Sequence, residues 1–317
     1  MRRVLITGIT GFAGSHLAER LTGRAEVWGT CIDDNIGNIS GVPGLKLVRC
    51  DLLDPGMVSA AVEQARPDAI FHLAGQSVPL FSIGAPAETL RINIFSALNL
   101  FEAALEKAPD AVILNIGSGD EYGEVRPDEL PVNEGAELRP LNPYAVSKVA
   151  QDLLAFQYHR SRNLKVVRCR PFNHYGPRQS EHLVSSAFAR QIAEIEAGIR
   201  TEKVLKVGNL EASKDFLYVK DVVAAYGLLA EKGEPGEVYN ISSGNPVKIR
   251  TILDTLLSFS RERVEVATDP ARLRSKEPQA VYGNSAKLKA LGWAPEYSLH
   301  DGLKELLNFW REKVKRG

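Results

Sequence analysis

Val4-Leu5-Ile6-Thr7 runs straight into Gly8-Ile9-Thr10-Gly11-Phe12-Ala13-Gly14 and then into the helical stretch Ser15–Thr22. A short β-branched run, a glycine-rich turn and an immediate helix start constrain this chain more than any other feature. Glycines let a backbone pass close to a pyrophosphate. The helix start behind them presents N–H groups and a partial positive charge to it. The spacing is G-x-x-G-x-x-G rather than the commoner G-x-G-x-x-G. Gly8, Gly11, Phe12, Ala13 and Gly14 are therefore the expected phosphate-facing residues.

The same alternation continues. Strands are expected at Val4–Thr7, Glu26–Thr30, Lys46–Arg49, Ala69–Leu73, Ala111–Ile116 and Lys165–Arg170, with helices between them at Pro55–Gln64, Glu88–Lys107 and Pro143–Ser161. The strands are continuously apolar, as expected when both faces of a parallel sheet are covered. Strand, helix, strand in regular succession predicts an α/β fold with a doubly wound parallel sheet. Ala69–Ala87, the longest uncharged stretch, is broken by glycine and proline and reads as strand then loop, not as a membrane helix. After Arg170 the pattern loosens into Pro-, Gly- and Asn-rich segments between helices at Leu183–Ala197 and Asp221–Glu231. This predicts a sheet domain over 1–170, with 215–245 returning to it through a strand at Val238–Ile241. A smaller, partly discontinuous C-terminal lobe is then built from 171–214 and 246–317. A ligand cleft is expected between them, over the C-terminal strand ends.

The 317 residues carry 39 Lys+Arg against 39 Asp+Glu, so no net field draws the chain to nucleic acid or an anionic membrane. Cys31, Cys50 and Cys169 lie in or beside apolar runs, without metal-ligand spacing, and are expected as buried thiols. No metal site is expected. The start of the chain lacks a signal-peptide layout, and a reducing cytoplasmic setting is the default expectation.

A dinucleotide site usually has an acid near the end of the second strand, where it binds the adenosine ribose. That stretch here is Val27-Trp28-Gly29-Thr30-Cys31-Ile32-Asp33-Asp34, which makes Asp33 the candidate and leaves NAD and NADP both open. Asp51 and Leu52, after the third strand, are candidate adenine contacts. Asp51 reads equally well as a loop or helix-capping residue. Tyr144-Ala145-Val146-Ser147-Lys148 is a Y-x-x-x-K pair, which a helix places on one face. An ammonium beside the phenol is expected to lower its pKa from about 10 and make Tyr144 a usable acid and base. Lys148 can also hold the cofactor ribose. The fifth strand ends in Gly117-Ser118, where a hydroxyl can polarise a reacting carbonyl.

The glycine turn, Leu73-Ala74-Gly75, Asn93, Ser118, Tyr144 with Lys148, and Arg170-Pro171-Phe172-Asn173, in that order, resemble the extended short-chain dehydrogenase/reductase family over essentially the whole chain. The resemblance implies a Rossmann domain that binds NADPH or NADH, with Leu73, Ala74 and Gly75 also at the cofactor. It implies a nucleotide-sugar substrate lobe, and a homodimer packed through Glu88–Lys107 and Pro143–Ser161.

Within that family, dehydratases carry Thr-Asp-Glu or Thr-Ser-Glu before a Tyr-Gly pair, where this chain has Ser118-Gly119-Asp120-Glu121-Tyr122-Gly123. Glycine can donate no proton, and Asp120 is one methylene shorter than the dehydratase base. Ketone reduction needs only Ser118, Tyr144, Lys148 and a hydride. The second lobe is similar to the branch of GDP-4-dehydro-6-deoxy-D-mannose reductases, relatives of the GDP-mannose 4,6-dehydratases. That likeness implies a substrate site made by Asn173, Val184, Lys206, Asn209, Lys214, Arg274 and Glu277. Arg274 and Asn173 would clamp the diphosphate, and Glu277 the nucleoside ribose. The expected activity is NAD(P)H-dependent reduction of a nucleotide-linked 4-keto-6-deoxy sugar at C4. A dehydratase or epimerase with tightly held NAD(P) and Asp120 as its base is the alternative.

Overall fold

The computed structural model describes residues 1–270 and 280–316. The strands are β1 Arg3–Thr7, β2 Glu26–Cys31, β3 Lys46–Arg49, β4 Ala69–His72, β5 Val112–Ile116, β6 Val166–Pro171, β7 Asn173–Tyr175, β8 Val204–Val207, β9 Ser213–Tyr218, β10 Val238–Ile241, β11 Pro246–Lys248, β12 Glu265–Thr268 and β13 Ala280–Val281. The helices are α1 Phe12–Leu21, α2 Pro55–Ala65, α3 Pro79–Gly84, α4 Pro86–Lys107, α5 Pro143–Arg162, α6 Val184–Glu196, α7 Val219–Lys232, α8 Ile249–Ser258, α9 Ala286–Ala290 and α10 Leu299–Arg316.

The central sheet has seven strands in the order β3-β2-β1-β4-β5-β6-β10, and every pairing is parallel. Growth of the sheet reverses direction between β1 and β4, the switch point above whose C-terminal strand ends ligands bind in open sheets of this kind. The fold is the Rossmann-like α/β architecture that the alternating pattern predicts. Val238–Ile241 does lie in this sheet, hydrogen-bonded along β6.

Successive side chains of a strand point to opposite faces, and here each face has its own core. Leu5, Ile70, Ile113 and Val166 join Val58 and Val62 of α2, Leu100 and Phe101 of α4, and Ala155 of α5. Their neighbours Val4, Ile6, Phe71, Leu114 and Val167 face the other way, onto Leu17 of α1 and Val222 and Leu229 of α7. That second cluster continues without a break into Phe188, Ile192, Leu253 and Leu303 of the C-terminal lobe. The lobe is thus anchored by shared hydrophobic burial, not by a linker.

Two expectations need correction. β3 is not buried on both faces: it is the sheet edge, and Lys46, Leu47 and Arg49 are exposed. Pro79–Gly84 is a short helix rather than loop, with proline at its first turn, where the missing N–H costs nothing. Cys50 and Cys169 are buried as expected, whereas Cys31 is only half-buried. Among the described residues no helix is long and apolar enough to cross a membrane.

Candidate active site

The turn after β1 is built for close approach. Gly8 has φ +68°, and a Cβ there would lie 2.9 Å from the Ala74 backbone. A side chain at Gly14 would collide with the Gly8 carbonyl oxygen. Gly11 opens α1 with no side-chain cap, and the first turn of the helix holds no acid. Its N-terminal amides and dipole are thus left for an anion from outside the chain. Leu73, Ala74 and Gly75 continue from β4 alongside, and the Ala74 N–H donates to Thr7 Oγ1 at 3.2 Å. Phe12 stacks on His174 of β7 with ring centroids 5.6 Å apart. His174 is therefore a packing joint between the glycine turn and the second lobe.

The adenosine-side candidates lie where the strand ends place them. Asp33 is exposed two residues past β2, and its Oδ1 accepts the Asn35 N–H at 3.0 Å. Asp51 accepts the Leu53 N–H at 2.9 Å, while the cap of α2 is Asp54. The capping role open to Asp51 in the sequence thus belongs to its neighbour. Leu52 is buried, and its carbonyl accepts from Asn99 at 2.9 Å.

At the end of β5 the chain brings the chemical candidates together. Ser118 starts a short 3₁₀ turn, Gly119–Tyr122, and its hydroxyl accepts the Asp120 N–H at 3.1 Å. Tyr144, 8% exposed, lies near enough to Ser118 for the serine side chain to act on its phenol. One turn along α5, Lys148 Nζ donates to the Ile116 carbonyl at 2.8 Å and to Gln151 Oε1 at 3.0 Å. It also lies close to Gly75, the expected cofactor strand end.

The expected electrostatics of Tyr144 are reversed. Burial, reinforced by the Asp120 charge, holds its phenol above the ordinary value of 10 rather than below it. Lys148 spends its donors on Ile116 and Gln151, and does not bring the phenol down. Burial lowers Lys148 itself to about 8, against an opposing pull from Glu121. His72 behind it is fully buried and falls to about 3, through burial and then the Lys148 charge, so its ring stays neutral. A protonated phenol and a nearby ammonium can deliver a proton to a forming alkoxide. Gly119 packs against Phe172, and a Cβ there would lie 3.0–3.2 Å from ring atoms. The position that holds a proton donor in dehydratases thus has little room for one here. Asp120 is exposed beside it, near enough to influence Tyr144.

The substrate-lobe candidates are spread over several elements. Asn173 is exposed on β7 and donates to the Asp215 carbonyl at 3.2 Å, and Val184 opens α6. Lys206 is exposed on β8, with its backbone tied to Gln191. Asn209 Oδ1 accepts the Glu211 N–H at 3.0 Å in a tight turn, and Lys214 is half-buried on β9. Arg274 and Glu277 lie outside the described residues. Among the described residues no His, Cys, Asp or Glu group forms a candidate metal site.

Sequence reasoning passed over one set of charges. Arg168 and Arg170 sit in β6, a buried strand, where unpaired cations would be prohibitive. They find Asp152 of α5 at 3.0 and 2.9 Å, and Arg170 Nε lies 2.9 Å from Glu121. Two arginines inside an otherwise apolar strand were the signal that buried acids must lie opposite.

The family model described as GDP-mannose 4,6 dehydratase matches residues 5–306. GDP-6-deoxy-D-mannose reductase of Pseudomonas aeruginosa is 37% identical over 315 residues, 99% of each chain. UDP-glucose 4-epimerase of Mycolicibacterium smegmatis is 27% identical over 98% of this chain and 99% of its own. Among solved structures, that of RMD from Pseudomonas aeruginosa complexed with NADPH superposes with a TM-score of 0.86. It is 35% identical, with 99% of this chain and 100% of that one covered. The parallel sheet with its glycine turn, the Ser118–Tyr144–Lys148 cluster and this agreement along nearly the full length place the chain in the GDP-mannose 4,6-dehydratase family.

Proposed function

We propose that this chain is an NAD(P)H-dependent oxidoreductase that reduces the C4 ketone of a nucleotide-linked 4-keto-6-deoxy sugar, GDP-4-dehydro-6-deoxy-D-mannose to GDP-D-rhamnose. The observation that carries this reading is the Tyr144 phenol, buried beside Ser118 and held above its ordinary pKa. It is an acid that keeps its proton until an alkoxide forms beside it. The Pseudomonas reductase and its NADPH-bound counterpart support the substrate and the cofactor class.

When bound, the reduced nicotinamide supplies a hydride to C4. Gly8, Gly11, Phe12, Ala13 and Gly14 would hold its pyrophosphate, with Asp33 at the adenosine ribose and Asp51 and Leu52 near the adenine. Leu73, Ala74, Gly75 and Lys148 would flank the nicotinamide half. Ser118 donates to the ketone oxygen, and Tyr144 protonates that oxygen as charge grows on it. Lys148 would hold the cofactor ribose. Asn173, Val184, Lys206, Asn209, Lys214, Arg274 and Glu277 would hold the nucleotide portion of the sugar. Asp120 is the C5 base of the dehydratase alternative, and its missing partner at Gly119 weighs against that role.

The test is stopped-flow mixing of the NADPH- or NADH-loaded protein with the 4-keto sugar. Loss of reduced-nicotinamide absorbance is expected at a rate that matches turnover. No loss with any 4-keto nucleotide sugar overturns the reading. Formation of 4-keto product from GDP-mannose without added cofactor would favour the dehydratase.

A pH dependence follows from Lys148. It is ammonium below about 8 and loses its proton above that, with Glu121 and neutral His72 as its titratable neighbours. The rate of reduction is expected to fall as pH rises through about 8, and Tyr144, higher still, does not set this limb. A rate flat from pH 7 to 10 would show that the Lys148 charge is not used.

A second copy is proposed to pack on α4 and α5, in keeping with the family. Phe95, Leu153 and Phe156 stand 51%, 52% and 42% exposed there, an apolar face unusual for a free surface. Sedimentation equilibrium at one-chain mass would remove this proposal. The three unpaired thiols fit the cytoplasmic location proposed with it.

A further inference from the structure

Below the Ser118 turn lies a buried acid that the reaction as described does not use. Glu121 is fully buried, and its Oε1 accepts the Ser118 backbone N–H at 2.7 Å. A side chain at Gly117 would occupy the space this carboxylate takes. Its Oε2 faces Arg170 Nε at 2.9 Å, an ion pair at close range without hydrogen-bond alignment. Arg170 reaches on to Asp152 Oδ2 at 2.9 Å. Asp152 lies on α5 at the same helical face as Tyr144 and Lys148, since 144, 148 and 152 are four apart. Gln151 of α5 also donates to Asn115 of β5 at 2.7 Å. The chain of contacts runs from the Ser118 amide through Glu121, Arg170 and Asp152 into the helix that carries Tyr144.

We infer that Glu121 is a positioning residue for the reduction, which fixes Ser118 at the end of β5 and, through Arg170 and Asp152, sets its distance from Tyr144 on α5. The inference rests on the reading of Ser118 and Tyr144 as the reacting pair. Glu121 is fully buried, with its carboxylate on the Ser118 amide and against Arg170. A serine held by its own backbone amide cannot follow small movements of the 3₁₀ turn, and placing a donor near a developing oxyanion tolerates little error. The acid has to be glutamate-length, because the carboxylate must reach back three residues to the Ser118 N–H while it also faces β6.

The test is a double-mutant cycle between Glu121→Asp and Ser118→Ala. Glu121→Asp keeps the charge opposite Arg170 but draws the acceptor back from the Ser118 amide. The expected result is a kcat lower by about 10-fold or more, with KM for the sugar and the dissociation constant for NADPH, read by fluorescence, both near wild type. In the Ser118→Ala background the same change should then cost almost nothing. Glu121→Gln, which keeps the acceptor and removes the charge, should hold the Ser118-dependent part of kcat better than Asp does.

Full additivity of the two changes, or equal loss of kcat and NADPH binding, would overturn the inference and leave the function standing. Absence of turnover by the wild type, or a Ser118→Ala variant as fast as wild type, overturns the reading beneath it and the inference together. Should Glu121→Asp fail to fold by thermal melting, the Gln variant carries the cycle. There the inference requires that most of the Ser118-dependent rate survives, and its loss overturns it.

Discussion

Tyr144→Phe is expected to lower kcat for ketone reduction by about 10²–10⁴-fold, the range that a positioned general acid supplies. The substitution removes one oxygen from a ring that is 8% exposed and leaves its packing in place. No charge is stranded: Lys148 keeps Ile116 and Gln151, and Ser118 keeps the Asp120 amide. The fold and the binding of the sugar should therefore persist, with KM moving less than about threefold. The loss falls on kcat and kcat/KM alike, as for a group whose interaction appears only in the transition state. Because the phenol is held above 10, the acid form dominates throughout the neutral range. The defect should then be nearly constant from pH 6 to 8. Steady-state kinetics on the 4-keto sugar check this, and a Tyr144→Phe variant as fast as wild type would remove Tyr144 from the chemistry.

What the sequence made legible and what it did not divide along a physical line. Burial on both faces forces continuous apolar runs, so the sheet strands stand out from their neighbours, and Val238–Ile241 could be placed before any pairing was seen. The glycine turn is equally local, since φ and close approach are properties of a few adjacent residues. β7, β11 and β13 are three residues or fewer and lie among prolines and glycines. They hold their shape through β9 rather than through their own periodicity, and no pattern in their sequence marks them. The spacing of Tyr144 and Lys148 correctly puts both on one face of α5. It says nothing about desolvation or about the Asp120 charge, which together set the direction of the phenol's shift. Glu121 and Arg170 are 49 residues apart in sequence, and only the fold brings β6 under the Ser118 turn.

Arg170→Met is expected to cost about 3–5 kcal/mol of folding stability, the range for removal of one partner from a buried ion pair. Methionine fills much of the volume, so the loss is electrostatic rather than a cavity. Asp152 still has Arg168 at 3.0 Å, whereas Glu121 is left buried and without its counter-charge. Glu121 already lies high, about 8 against an ordinary 4.5, because burial first and Asp152 second outweigh Arg170. Without the guanidinium it rises further. An acid whose folded pKa is raised holds its proton in the folded state while the unfolded chain releases it. Stability is then greatest below about 4.5 and is lost as pH climbs toward the folded value. Below about pH 8 Glu121 holds its proton in both proteins, so the deficit of Arg170→Met should be nearly constant there and should widen as pH rises above about 8, where only wild-type Glu121 ionises. Arg170→Met combined with Glu121→Gln removes the acid and keeps an acceptor for the Ser118 amide, and should recover most of the loss that appears above about pH 8. Urea titrations of wild type, Arg170→Met and the double variant at about pH 7 and about pH 9.5 decide the matter. A double variant no more stable than Arg170→Met alone would show that Arg170 acts by packing, not as the counter-ion of Glu121.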